Sequence, residues 1–167
     1  KQQGWTGLAL PEAHGGLGLT LVELGLISRE AGRTLSGAPF LTSSYGAARA
    51  MLDYGSESLK SEWLPKIASG DAIGAVAFAE GQGVIPANST VLFENGRLNG
   101  IKPAVSGGLK ADLAIVLASD AGTPVLVAAD RPGTERRGFH RFDNGRGLPH
   151  LGAPETPPVR PVACQRP

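Results

Sequence analysis

The chain has 167 residues, a formal net charge of +1, 41% hydrophobic residues and 19% charged ones. That is long enough to bury a real core, and too balanced in charge for a disordered chain or one built to bind a polyelectrolyte. No apolar run approaches the roughly 20 residues of a membrane span, and a lone cysteine, Cys164, excludes an internal disulfide. The 24 glycines and 13 prolines predict many tight turns. The opening KQQGW has neither a basic-then-apolar leader pattern nor a starting Met. The expectation is a soluble, cytoplasmic chain cut at its front end.

The glycine-rich stretch GWTGLALPEAHGGLGL (4–19) leads into a helix. Thr20 and Glu23 have capping-box spacing, and Leu21, Leu24, Ile27 and Ala31 recur at helical period. Gly25 and Gly32 each weaken that helix by about 1 kcal/mol relative to Ala, so packing must compensate or a neighbour must come close. After the break at Gly37-Ala38-Pro39, a second helix is expected to bury Leu41, Tyr45, Ala48 and Leu52 and to stop at a left-handed Gly55. Ser56 caps a third helix carrying Leu59 and Trp63 on one face. Pro65 predicts a kink, and Gly70 the end. Trp5 and Trp63 read as core anchors.

After Asp71 the period changes to two. Ile73 to Glu80 alternates, with Val76 and Phe78 on one face and Ala75 and Ala77 on the other. Thr90–Phe93 and Arg97-Leu98 flank Glu94-Asn95-Gly96, a type I′ hairpin signal. Ile101 to Ser106 continues as a strand after a bulge or turn at Asn99-Gly100. Leu113–Ala118 and Val125–Ala129 are continuous apolar strands of the kind covered on both faces, joined by a hairpin over 120–124. The fold class expected is α+β: an N-terminal all-α segment (1–70) followed by an antiparallel, barrel-like β-domain (71–167). The arginines at 131, 136, 137, 141 and 146 lack an interleaved aromatic platform and read as a solvated loop and edge strand, not as a nucleic-acid surface.

Motif inspection declares no activity. The run His14 to Gly18 does not satisfy G-x-G-x-x-G and follows no strand, and neither a phosphate-binding loop nor a nucleophile elbow is present. His14, His140 and His150 are scattered, so no metal cluster is expected.

Four blocks nevertheless resemble the acyl-CoA dehydrogenase family: residues 4–19 leading into LVELGLISREAGRTLSGAPF (21–40), YGSESLKSEWLPKIASGD (54–71), AVAFAE (75–80) and RLNGIKPAVSGGLKADLAIVLA (97–118). A fainter likeness runs through 132–147, where Asp143 and Arg146 match a D-x-x-R element. The resemblance implies part of an N-terminal helical domain and a middle β-domain that together hold one face of FAD. The family's C-terminal helical domain, which supplies the Glu base, has no counterpart in these residues, so no catalytic residue is named.

Carried over by position, the resemblance implies that Phe78-Ala79-Glu80 faces the flavin, with Ala79 where the family usually has Thr. Ser106 matches the hydroxyl residue near the flavin N5 edge, with Val105 and Gly107 beside it, and Ala104 stands where an aromatic often packs. The segment 81–90 is short and lacks a Gly-Ser-Asp signature, leaving Asn88 and Ser89 as the polar candidates for contact with substrate. The activity implied is α,β-dehydrogenation of an acyl-CoA, with hydride transfer to the flavin, electron-transfer flavoprotein as acceptor, and a homo- or hetero-oligomer. The alternatives are a non-catalytic, cofactor-supporting subunit, and an acyl-CoA oxidase or flavin monooxygenase on the same scaffold.

Overall fold

The computed structural model describes residues 4–34, 36–80, 85–103 and 105–130, together with the backbone of strands at 135–139, 148–153 and 160–162. The glycine-rich stretch folds back on itself. Leu17 N donates to Gly7 O at 3.0 Å, Gly18 N to Leu10 O at 2.9 Å and Leu19 N to Leu8 O at 2.9 Å. That return requires glycine at position 16, where a Cβ would stand 2.1 Å from Leu10 O. Thr6 Oγ1 ties the loop to the third helix by donating to Ala68 O at 2.8 Å.

Helix α1 (Leu21–Arg33) begins at the expected capping box. Thr20 Oγ1 accepts from Val22 N at 3.1 Å, and Glu23 Oε2 accepts from Thr20 N at 2.8 Å. Of the stripe read from the sequence, only Leu24 is fully buried, while Leu21 is exposed. No atom lies within 4 Å of a Cβ built at Gly25 or Gly32, so the close neighbour expected there does not exist among the described residues.

The second helix departs from expectation for a geometric reason. Its first part, Phe40–Ala47, is a π-helix, and α2 (Ala48–Tyr54) continues it. Bonding from i to i+5 widens each turn and rotates the faces away from 3.6-residue periodicity. Phe40, Ser43, Ser44, Ala47, Ala48 and Met51 are therefore inside, whereas Leu41 is 75% and Tyr45 48% exposed. Gly55 is extended (φ −76°, ψ 149°), not left-handed. It is needed because a Cβ there would meet Met51 O at 2.5 Å.

Helix α3 (Glu57–Ser69) is capped by Ser56, whose hydroxyl accepts from Leu59 N at 3.3 Å, and it ends at a left-handed Gly70 (φ 75°). The helix runs on through an exposed Pro65, with Leu64, Ile67 and Ala68 buried on its other side. Trp63 packs against the core, with Lys66 over its ring at 4.8 Å. Trp5 does not serve as an anchor; it is 46% exposed.

Eight strands form one curled sheet: β1 (Gly74–Ala77), β2 (Leu92–Glu94), β3 (Arg97–Lys102), β4 (Leu113–Asp120), β5 (Thr123–Asp130), β6 (Glu135–Phe139), β7 (Leu148–Ala153) and β8 (Arg160–Val162). The order is β6-β7-β3-β2-β4-β5-β8, with β1 also on β4. The α+β class holds, but the sheet is mixed and not purely antiparallel, because β1 and β2 both run parallel to β4. β1 and β4 are joined through intervening strands and loops, and β2 and β4 through β3 and the segment after it, so parallel pairing is open to them, which a hairpin cannot make. The two hairpins are as read: Asn95 and Gly96 have φ 50° and 75°, and Ala121 and Gly122 have 46° and 84°.

Alternation along the central strands separates two cores. Val76, Phe78, Leu113, Ile115, Leu126 and Ala128 face the helices, joining Leu10, Met51, Leu59, Leu64 and Ile67. Ala75, Ala77, Ala114, Val116, Val127 and Ala129 face the inside of the curl with Val91, Leu98 and Val105. Covering both faces explains why β4 and β5 read as unbroken apolar runs. The arginine-rich reading and the Asp143/Arg146 element fall on positions whose side chains lie outside the described residues.

Gly16→Ala is expected to destabilise the chain by about 2–3 kcal/mol in urea unfolding, because a backbone carbonyl must move. Gly25→Ala and Gly32→Ala should each stabilise it by about 0.5–1 kcal/mol through helix propensity alone. A loss on either helix substitution would show that a hidden contact governs those positions. The exposed Leu21, Val22, Leu26, Leu41 and Tyr45 lead us to expect self-association of the isolated 167 residues in light scattering. A monodisperse monomer at high concentration would contradict this.

Candidate functional site

The chemistry-bearing centre of the described residues lies where β4 changes neighbours. Along one edge, β4 pairs with β1 as far as Val116, opposite Ala77. At Ser119 it pairs with β2, opposite Leu92. Residues 78–80 lead away from β1, and residues 85–91 lead into β2. Their return is marked by Ser119 N donating to Val91 O at 2.8 Å.

A buried cation fills the split. Lys102, at the end of β3, is 1% exposed. Its Nζ lies 2.5 Å from Glu80 Oε1, 3.2 Å from Ser89 Oγ and 3.4 Å from Phe78 O, so three donors meet three acceptors. Glu80 is satisfied in turn. Oε2 accepts from Thr90 N at 3.0 Å and from Thr90 Oγ1 at 2.7 Å, and Ser89 Oγ sits 2.5 Å from Oε1. Ser89 Oγ also accepts from Val91 N at 3.1 Å and lies 3.0 Å from Leu117 O, the carbonyl between the two β4 partners. Burying a charge is tolerated only when it is paired and hydrogen-bonded, and both charges here are.

Burial pushes the Glu80 carboxyl upward, but hydrogen bonds from Lys102, Ser89 and Thr90 outweigh it and hold the group at about 2. For Lys102 burial is the larger effect and moves the ammonium below its usual range, with Glu80 opposing the shift. The Glu80 carboxyl is therefore ionised at neutral pH.

The residues singled out by sequence divide between this network and its surroundings. Phe78 and Ala79 are half-buried just past the end of β1, with Phe78 packed toward the helices. Glu80 points its carboxylate into the network. Ser89, read as a substrate contact, is buried with its hydroxyl engaged inside the fold, whereas Asn88 is exposed. Val105 is fully buried on the inner face, and Ser106 and Gly107 are exposed on the turn that follows it. Gly107 has φ 73°, and Thr42 Oγ1 of the π-helix lies 3.6 Å from where its Cβ would be. Ala104 lies outside the described residues. No direct contact joins 78–80 to 105–107 in the interactions described; Lys102, three residues before Val105, reaches the first segment.

Sequence reasoning missed Lys102. A signal existed: Leu98, Gly100 and Lys102 share the inward face of an alternating strand, and a lysine at an inward position needs a carboxylate. Nothing local says which one. Buried Ser44 Oγ, on the π-helix, has no hydrogen-bond partner among the described residues. No cluster of His, Cys, Asp or Glu suited to a metal occurs among the described residues, and no helix there is long and apolar enough to cross a membrane.

Comparison with known proteins gives a consistent result. Residues 1–71 match the family described as acyl-CoA dehydrogenase, N-terminal domain. The chain is 35% identical over 127 residues to acyl-CoA dehydrogenase FadE27 of Mycobacterium tuberculosis, covering 75% of this chain and 34% of that protein. It is 34% identical over 168 residues to the mitochondrial isovaleryl-CoA dehydrogenase of Pongo abelii, covering 89% and 37%. Among solved structures, the ChsE4-ChsE5 complex from Mycobacterium tuberculosis superimposes with a TM-score of 0.82 at 26% identity, over 98% of this chain and 46% of that one. The chain thus spans about a third of the length of these curated relatives.

Lowering pH tests the network. The Glu80 carboxyl titrates below its ordinary value of 4.5 when folded, so its stabilisation is full above that value and is lost as pH falls toward about 2. Glu80→Gln should lower stability at pH 7 by about 3 kcal/mol, by leaving Lys102 buried without a counter-charge. It should also flatten the acid limb between about pH 5 and pH 2 in chemical denaturation. An unchanged acid limb would remove Glu80 from this role.

Proposed function

The chain belongs to the acyl-CoA dehydrogenase family, and from that premise we propose that it is part of an FAD-dependent acyl-CoA dehydrogenase acting on the α,β bond of an acyl thioester. The observation that carries the reading is that similarity to dehydrogenases runs through both helices and strands, over 89% of this chain in one relative. Residues 1–70 then form part of the helical domain and 71–167 the β-domain; the family match ending at residue 71 supports that division.

The described residues fit a flat ring with polar edges. Ser106 brings an exposed hydroxyl beside Gly107, which places no side chain in the approach. Phe78 and Ala79 supply half-buried apolar surface and main chain where β1 leaves the β4 ladder. Phe78, Ala79, Val105, Ser106 and Gly107 would hold the flavin on this reading, with Glu80 acting through Lys102 and not through the ring. FAD supplies the hydride acceptor when bound. The protein's share is to orient the acyl group, exclude water and hydrogen-bond the ring edge. Of the two residues proposed toward substrate, Asn88 has the accessible side chain and Ser89 acts from behind it. We place the protein in the cytoplasm as an oligomer, passing electrons to an electron-transfer flavoprotein.

A second reading is favoured by one observation: Ala79 brings no hydroxyl to the flavin-facing strand. A cofactor-supporting subunit of a heteromeric enzyme would tolerate that loss, and the superimposed ChsE4-ChsE5 structure is itself a complex of two different chains.

Visible spectroscopy of the purified intact protein decides between them. FAD should give a bound-flavin band, and an acyl-CoA should bleach it anaerobically. A flavin band that no acyl-CoA bleaches favours the supporting subunit, and no band after adding FAD refutes the cofactor reading. Ala79→Thr should tighten flavin binding about fivefold by restoring one hydrogen bond.

A further inference from the structure

We infer that Lys102 is a positioning residue that fixes two separate segments, 78–80 and 105–107, against each other at the split in β4's edge. The inference rests on the proposed reading of those segments as flavin-facing, and it adds what holds them there. Between Val116 and Ser119 the β4 edge has no strand beside it among the pairings described. An open stretch of ladder normally invites slippage or a new strand. Here the gap is closed by side chains: Ser89 Oγ reaches Leu117 O, and Lys102 Nζ reaches both Ser89 Oγ and Phe78 O.

The geometry makes Lys102 the common member. Phe78 is held through its carbonyl and Glu80 through its carboxylate. On its own strand, Lys102 lies three residues before Val105, whose side chain is fully buried on the inner face. The turn after it is closed by Gly108 N donating to Val105 O at 3.1 Å and Lys110 N to Gly107 O at 3.0 Å. Lys102 is thus bonded to the first segment through its side chain and joined to the second along the chain. An apolar residue of similar length would fill the space and leave the Phe78 carbonyl, the Glu80 carboxylate and the Ser89 hydroxyl without their shared donor. Satisfying all its acceptors is what makes a buried polar network rigid.

The amides of Thr90 and Val91 report on the network directly, since they donate to Glu80 and to Ser89 Oγ. In the intact protein, Lys102→Met should speed hydrogen exchange at Thr90 and Val91 roughly tenfold. Its unfolding should stay cooperative, its flavin affinity should fall about tenfold and the bound-flavin absorption envelope should shift. Exchange at Thr90 and Val91 equal to wild type would overturn the inference. So would faster exchange with flavin affinity and spectrum unchanged, because Lys102 would then be structural only. If wild type binds no FAD, the flavin reading fails separately, and the exchange measurement still decides whether Lys102 holds the split. Should Lys102→Met not unfold cooperatively, Ser89→Ala supplies the same test. It keeps both charges and removes the hydroxyl that joins Lys102 and Glu80 to Leu117 O; unaltered exchange at Thr90, whose acceptor Glu80 remains, together with unaltered flavin binding would overturn the inference there too.

Discussion

A lysine ammonium inside a sheet has to be neutralised where it stands, and much of the β region is arranged around meeting that requirement at Lys102. The carbonyl of Phe78 and the acid of Glu80 come from the segment just past the first strand, and the hydroxyl from the residues that lead into the second. Replacing such a pair by apolar residues can leave a protein as stable or more so. Stability alone therefore does not account for it. What the charges add is direction: an ion pair with four hydrogen-bonding neighbours has one good arrangement, whereas an apolar plug has many.

That arrangement matters because the sheet is interrupted there. β4 is the backbone of the β region, with β5 along one edge and β1 then β2 along the other. Both its faces are covered, one by the helical core and one by the interior of the curl. A site set at such an interruption gains main chain that is freed from a ladder, yet is held by a packed scaffold on both sides. The exposed turn at Ser106-Gly107, the half-buried Phe78-Ala79 segment and the π-helix carrying Thr42 all lie around this scaffold. The result is a sheet edge closed by a polar fastening between two packed cores.

The local chemistry of the fold was readable without coordinates. Thr20 and Glu23, Ser56, Gly70, Asn95-Gly96 and the alternation of β1 each follow from short-range rules, and each has the predicted geometry. The misreadings share a different cause. A 3.6-residue period puts Leu41 and Tyr45 inside, and a π-helix does not keep that period. A glycine after a helix suggests a left-handed turn, but what Gly55 answers is closeness to Met51 O. Sequence alternation carries no information on strand direction, so the parallel pairing of β1 with β4 is not legible in it.

By itself, then, the sequence determined the order of helices before strands, the caps and turns, the two-faced character of the central strands and the likeness to a family. Those depend on neighbours a few residues apart or on patterns that survive in short blocks. Tertiary structure alone decided that Glu80 and Ser89 turn inward to Lys102, that Asn88 stays outside, and that β1 and β2 share one edge of β4. The acid and the lysine are separated by 22 residues, and their pairing is set by which strands lie side by side. No local rule contains that choice.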